Sequence, residues 1–120
     1  MRIKYIMPNE EKITRQTRKY LEKIERAHFP NFWFQKWADK FTSGLPDYHG
    51  VSYGIPFYIE LKATGKVPRK LQRYILARIA SAGGKTLATD NIDEVYQFIS
   101  SVVLNTLEVT HFEAFNELQL

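Results

Sequence analysis

The sequence predicts an α/β domain in which a mixed central sheet is flanked by helices, in the order α-β-β-β-α-β-α. Three observations lead there. Apolar residues recur at helical spacing in three separate stretches. The segment Phe57-Tyr58-Ile59-Glu60-Leu61-Lys62 alternates apolar and polar residues in the manner of a strand. Short Gly- and Pro-containing segments separate these stretches, and helices alternating with strands in this order pack most simply as layers around one sheet.

The first helix is expected to open after Asn9, which can cap it, with Glu10 and Glu11 in the first turn where acids suit the helix dipole. Ile13, Thr17, Tyr20, Leu21 and Ile24 share one face, carrying the helix to about Ala27, before Pro30 and Asn31 break it. The aromatic run from Phe32 to Trp37 favours a strand. Thr42-Ser43-Gly44 reads as a loop into Leu45-Pro46-Asp47. From Asp47 to Lys62 the pattern is a hairpin: Tyr48-His49 starts one strand, Gly50 to Gly54 turns, and Phe57 to Lys62 returns. Pro68 suits a first helical position, with Leu71, Ile75, Ile79 and Ala82 as the buried stripe and Gly83-Gly84 as the stop. Lys85 to Thr89 is a short strand. Asn91 with Glu94 resembles a capping box opening a helix with Val95, Phe98, Ile99 and Val102 inward. The last fifteen residues fit either helix or strand.

With 120 residues the chain is one domain with room for one core. It contains no cysteine, which excludes disulfides and thiolate metal sites and fits a cytoplasmic location. No apolar run approaches the ~20 residues of a membrane span, so no membrane partner is expected. Any metal must be held by carboxylates, carbonyls, histidine or water. The net charge of +4 conceals an asymmetry. Residues 1–85 hold all 17 Lys and Arg against seven acids, a net of +10, whereas residues 86–120 hold six acids and no base. A basic body favours a polyanionic partner through phosphate neutralisation.

Strand periodicity carries the chemical argument. In 57–62, Phe57, Ile59 and Leu61 point to one face, and Tyr58, Glu60 and Lys62 to the other. Glu60 and Lys62 then lie about 7 Å apart along one surface. The preceding strand begins at Asp47, so the hairpin can bring a second carboxylate to the same end. Two carboxylates with water and a phosphate oxygen make the oxygen-only site that magnesium prefers, and manganese would fit it too. Such a metal polarises a phosphoryl group, and a neighbouring lysine can orient a water or offset developing negative charge. Alone, a Glu-x-Lys on a strand is most often a solvated ion pair, and a Leu-Pro-Asp most often a plain turn. Their combination, followed by a basic helix, is the informative feature.

At these residues the sequence resembles the VRR-NUC (virus-type replication-repair nuclease) domain of the PD-(D/E)xK nucleases. The resemblance lies in Ser43-Gly44-Leu45-Pro46-Asp47, then Tyr58-Ile59-Glu60-Leu61-Lys62, then a helix carrying Leu71-Gln72, then Ala82-Gly83-Gly84 before a strand. It covers about residues 9–100, leaving 101–120 as an acidic C-terminal extension. It implies a restriction-endonuclease-like core and a nuclease cleaving DNA with Mg2+ or Mn2+. It further implies that Asp47, Glu60 and the backbone carbonyl of Leu61 bind metal, that Lys62 is the catalytic lysine, and that Gln72 lies near the active site. A glutamate early in the first helix is also implied; Glu10 fits best and Glu11 nearly as well. Stand-alone members of that family form dimers acting on branched DNA, so junction or flap substrates in replication and repair, and a homodimer, are expected. Where the family often has a serine before the helix proline, this chain has Val67, a change worth roughly 1 kcal/mol of helix capping.

Lys66, Arg69, Lys70, Arg73 and Arg78 follow the active strand with no acid from Ala63 to Thr89. Lys66, Arg69, Lys70 and Arg73 are candidate phosphate contacts, the alternative being a solvated helix face. Lys36 and Lys40 precede the Pro-Asp turn and can reach substrate. Phe32, Trp33, Phe34 and Trp37 fit a core or subunit contact better than a base-stacking surface. His49, on the strand face of Asp47, fits a surface or hydrogen-bonded histidine better than an accessory ligand or proton relay. Phe112, Phe115 and Leu118 can cover the core or another subunit. Two rival readings stay open: a non-catalytic nucleic-acid-binding module on the same fold, and a structural protein whose charged strand face is merely solvated.

Overall fold

The computed structural model describes residues 8–37 and 44–119, with side chains over 10–37 and 44–105. Its seven elements follow the expected order: α1 (Pro8–His28), β1 (Phe32–Lys36), β2 (Tyr48–Ser52), β3 (Ile55–Leu61), α2 (Lys70–Ser81), β4 (Lys85–Thr89) and α3 (Ile92–Gln119). The strands form one sheet in the order β1-β2-β3-β4. The first two pairings are antiparallel and β3–β4 is parallel, because α2 carries the chain back to start β4 at the same end as β3.

The two sheet faces differ in covering. Phe32, Tyr48, Phe57, Ile59 and Leu61 lie on one face and are buried there with Ile13 and Leu21 of α1 and Val95, Ile99, Val102 and Val103 of α3. This is the apolar half of the alternation predicted for 57–62. Phe32 and Phe57 stack with ring centres 5.3 Å apart. Gly50, paired with Phe57 across the hairpin, leaves room for that ring: a Cβ at Gly50 would sit 2.4 Å from Phe57 Cζ and 2.4 Å from the Trp33 carbonyl oxygen. The opposite face is covered by α2 along β3 and β4, where Gln72 meets Glu60 and Ile79 packs near Tyr58 and Gly84.

Several local expectations need correction. The strand β2 continues through Ser52, and the hairpin turns on Tyr53 and Gly54 alone, both at positive φ (49° and 85°). Two residues with positive φ match the right-handed twist of the flanking strands, so Gly50 belongs to the strand. The helix α1 begins at Pro8, so Asn9 lies inside it and does not cap it. The helix α2 begins at Lys70 with Arg69 as its N-cap, leaving Pro68 outside. The Arg69 backbone N–H is held by Gln72 Oε1 at 2.9 Å, so the cap does not depend on the residue at Val67. The buried side of α2 is Gln72 and Leu76; Leu71 and Ala82 are exposed. The helix is rotated from the apolar stripe because Gln72 is drawn to a buried carboxylate.

At the start of α3 the Asn91 side chain accepts the Asp93 N–H at 2.8 Å. Glu94 bonds the Thr89 hydroxyl, which in turn accepts the Asn91 N–H at 3.0 Å. The capping box is thus closed through Thr89. Val95, Ile99 and Val102 point inward as expected, and the last residues continue α3 as helix to Gln119. The side chains of Phe112, Phe115 and Leu118 lie outside those described.

Candidate active site on the helix-covered sheet face

Asp47 precedes β2, and continuing the Tyr48–Ile59 register by one step sets it opposite Glu60. Residues opposite one another in an antiparallel pair share a face, so the two carboxyls converge. The Asp47 carboxylate is anchored: its Oδ2 accepts the Leu61 N–H at 2.7 Å, and its backbone carbonyl accepts the Trp37 N–H at 2.9 Å. In a strand the N–H and C=O of one residue leave by the same edge, so the Leu61 carbonyl also faces the Asp47 side.

Glu60 is 3% exposed. Its Oε2 accepts two charged or polar donors, Lys62 Nζ at 2.9 Å and Gln72 Nε2 at 2.7 Å. Its Oε1 is buried with no hydrogen-bond partner. Burial first, and the Asp47 charge second, push the Glu60 carboxyl up to about 7, against the pull of the Lys62 ammonium. Burial likewise raises the Asp47 carboxyl, opposed by the Leu61 N–H and by the charges of Lys36 and Lys62. The two carboxyls are near enough for one to hydrogen-bond the other. Ionised, they are acceptors only, so a proton or a cation between them would relieve their repulsion.

Lys62 is 15% exposed at its side chain, and its backbone N–H continues the parallel ladder to the Thr89 carbonyl at 2.9 Å. Gln72 uses both ends of its amide, one on the Arg69 cap and one on Glu60. A Gln in the third position of a helix is the signal of a capping box, and that signal was present in the sequence at Gln72 once the helix start was known.

Among the remaining candidates, Lys36 is exposed yet close enough for its charge to act on Asp47. Lys66, Arg69, Lys70 and Arg73 are exposed at and before the N-terminus of α2. The Arg73 guanidinium returns to the Pro68 carbonyl at 2.8 Å. Lys40 and Ser43 lie outside the described residues. Glu10 sits in the first turn of α1, where its carbonyl accepts the Thr14 hydroxyl at 2.8 Å. Among the described residues no three His, Cys, Asp or Glu side chains come together, so Glu10 does not join the Asp47–Glu60 pair. His49 shares the face of Asp47, but its ring is held against Trp37 and Trp33, at 4.3 and 5.5 Å between centres, and burial lowers its pKa. The aromatic run is divided by strand alternation. Phe32 and Phe34 pack in or against the core, while Trp33 and Trp37 lie on the site face.

No family model and no curated protein matches the sequence. A solved structure described as a VRR_NUC domain superposes with a TM-score of 0.63 at 17% identity, covering 78% of this chain and 97% of that one. The chain has the VRR-NUC fold. The α-β-β-β-α-β-α order and mixed four-stranded sheet are those of a restriction-endonuclease-like core. At this identity the likeness concerns the fold. What a VRR-NUC fold can do in this chain rests on the side chains at the end of the β2–β3 hairpin away from its turn. No helix among the described residues is long and apolar enough to cross a membrane.

Proposed function

We propose that this domain is a divalent-metal-dependent endonuclease that hydrolyses phosphodiester bonds in DNA, with branched, flap or junction DNA as its preferred substrate. The observation that carries the reading is a pair of facing carboxyls, Glu60 buried and Asp47 half-buried, in which the buried Glu60 Oε1 lacks a hydrogen-bond partner beside a lysine. A buried acceptor without a donor is costly, and a hard cation removes that cost while suiting an oxygen-only donor set.

Asp47, Glu60 and the Leu61 carbonyl are the residues that would hold Mg2+ or Mn2+. Two carboxylates are few for a closed protein cage, but magnesium keeps several waters and is commonly held by one or two carboxylates plus substrate phosphate. When bound, such an ion polarises the scissile phosphate. The Leu61 N–H fixes Asp47, and Gln72 fixes Glu60. Lys62 sets a compact positive charge at the same point, where it can orient the attacking water or offset charge developing on the phosphate.

The bases around α2 support a nucleic-acid substrate. Helix N-termini favour acids, yet the first turn of α2 has none and Arg69, Lys70 and Arg73 stand there. An arrangement that works against the helix dipole is explained by a phosphate ligand, which the helix N-terminus itself attracts. Cytoplasmic location and a homodimer belong to the same proposal. The Asp-Glu-Lys set disfavours the reading as a binding module, because a pure binder gains nothing from two acids where phosphate must approach.

The test is cleavage of single-stranded, duplex, flap and four-way-junction DNA with magnesium, manganese or chelator. Lys62→Ala is expected to keep the fold and lose at least about 100-fold in rate. Asp47→Asn is expected to lose cleavage and metal binding by calorimetry. Wild-type cleavage by either variant, or cleavage undiminished in chelator, refutes the assignment.

A further inference from the structure

The outer face of β1 and β2 is the part of the site surface that α2 does not cover. Among the described residues α2 packs along β4 and reaches β3 through Gln72, and α1 and α3 occupy the opposite face. Strand alternation places Trp33, Trp37, His49 and Val51 on this open face, together with Asp47 and Glu60. Trp33 is 46% exposed and Val51 38%. The two tryptophans stand four residues apart, Trp33 on β1 and Trp37 just past its end, and the His49 ring lies between them, its centre 5.5 Å from the Trp33 ring and 4.3 Å from the Trp37 ring. Trp37 is joined to the cleavage centre through the backbone, its N–H donating to the Asp47 carbonyl. Lys36, next to it, is near enough to act on the Asp47 charge.

We infer that this face, floored by Trp33, His49 and Trp37, stacks unpaired bases of the strand whose phosphate lies at Asp47 and Glu60. The inference rests on the nuclease reading for the position of that phosphate. Aromatic platforms beside a positively charged track are the means by which proteins hold single-stranded nucleic acid without reading its sequence. The charge at hand is that of Lys36, which is exposed and near enough to act on Asp47. The area fits as well. Two partly covered indoles and a valine present on the order of 200–300 Å2 of apolar surface, whereas a stable protein partner needs roughly 800 Å2 per side. A stacked base also accounts for rings in place of the polar residues usual on an open sheet face. Such a platform would favour DNA with splayed bases close to the scissile bond, which a blunt duplex lacks.

Both tryptophans of the chain lie on this face, so tryptophan fluorescence, excited beyond the tyrosine band, reports on it alone. The wild-type protein in chelator is titrated with an oligothymidylate and with a blunt duplex, and affinities of variants are read by anisotropy of labelled oligonucleotide. The single strand is expected to quench the fluorescence and the duplex to bind without quenching. Trp33→Leu, which keeps apolar bulk, is expected to weaken single-strand binding about tenfold or more, and Trp33→Phe less than about threefold. Both should leave duplex affinity unchanged. Single-strand binding without quenching, or equal affinities for the Leu and Phe variants, overturns the inference. Fluorescence that changes with protein concentration alone, with Trp33→Leu converting a dimer to monomer, overturns it in favour of a second copy. Duplex cleavage without single-strand quenching removes the platform and leaves the nuclease; quenching without cleavage under any metal does the reverse.

Discussion

Two facing carboxyls, Glu60 buried and Asp47 half-buried, are unfavourable for the fold when both are ionised, and Glu60 carries most of that burden. Its carboxyl moves from an ordinary 4.5 to about 7, through burial and then the Asp47 charge. Raised in the folded state, it contributes stability that is complete below about 4.5 and is lost as pH rises through about 7. The raised Asp47 carboxyl acts with the same sign. The contribution is on the order of 3 kcal/mol. In chelator, the denaturant midpoint should therefore fall between pH 5 and pH 8. Asp47→Asn keeps an acceptor for the Leu61 N–H and removes one charge, so it should flatten that dependence and stabilise the pH 8 protein by about 1–2 kcal/mol, while abolishing cleavage. Magnesium at pH 8 should raise the wild-type midpoint and leave the variant unchanged. Equal pH dependence in the two proteins would show that the pair does not oppose folding.

At the scale of elements, the site depends on how α2 sits on the sheet. Gln72 links the first turn of α2 to Glu60 through one amide. Gly44 permits close approach from the Pro-Asp side: its φ is +87°, and a Cβ there would lie 2.7 Å from Ile75 Cδ1 and 2.9 Å from Leu71 Cγ. Gln72→Ala removes a cap and the donor to Glu60 and should cost about 1–3 kcal/mol, with a further loss of activity. Gly50→Ala acts on the other face, against a ring and a backbone carbonyl at 2.4 Å. It should be the more destabilising of the two, on the order of 3 kcal/mol or more. Urea melts of the two variants compare them directly; a milder Gly50→Ala would mean that β1 and the Phe57 ring shift more easily than close packing allows.

For the whole molecule the separation of charge matters most. The basic residues lie in the first 85 positions, and Lys36, Lys66, Arg69, Lys70 and Arg73 are exposed around the end of the sheet that bears the site. DNA affinity in chelator should fall linearly on a log–log plot against salt, and replacing Arg69 or Lys70 by Ala should reduce the slope by about 1 each. Substituting Arg15 should leave it unchanged, because that side chain pairs with Glu11 on α1 at 3.6 Å. Identical slopes for all three would place the phosphate track elsewhere.

The order of elements, the core face of α1, β3 and α3, and the shared face of Glu60 and Lys62 were legible from the sequence. Periodicity is a local property, and a strand that alternates must turn its polar residues to one side. The hairpin pattern from Asp47 to Lys62 also indicated that Asp47 can be brought to the same end as Glu60, because a hairpin brings its own ends together. The rest depended on contacts distant in sequence. The rotation of α2 and its start at Lys70 could not be read from local pattern. Both are decided by the partner available across the sheet, a buried carboxylate for Gln72. Composition and periodicity say which side chains want burial or charge; only the folded sheet determines that Asp47 and Glu60 are pressed together with one oxygen unmatched, and that imbalance is what makes the pair a site.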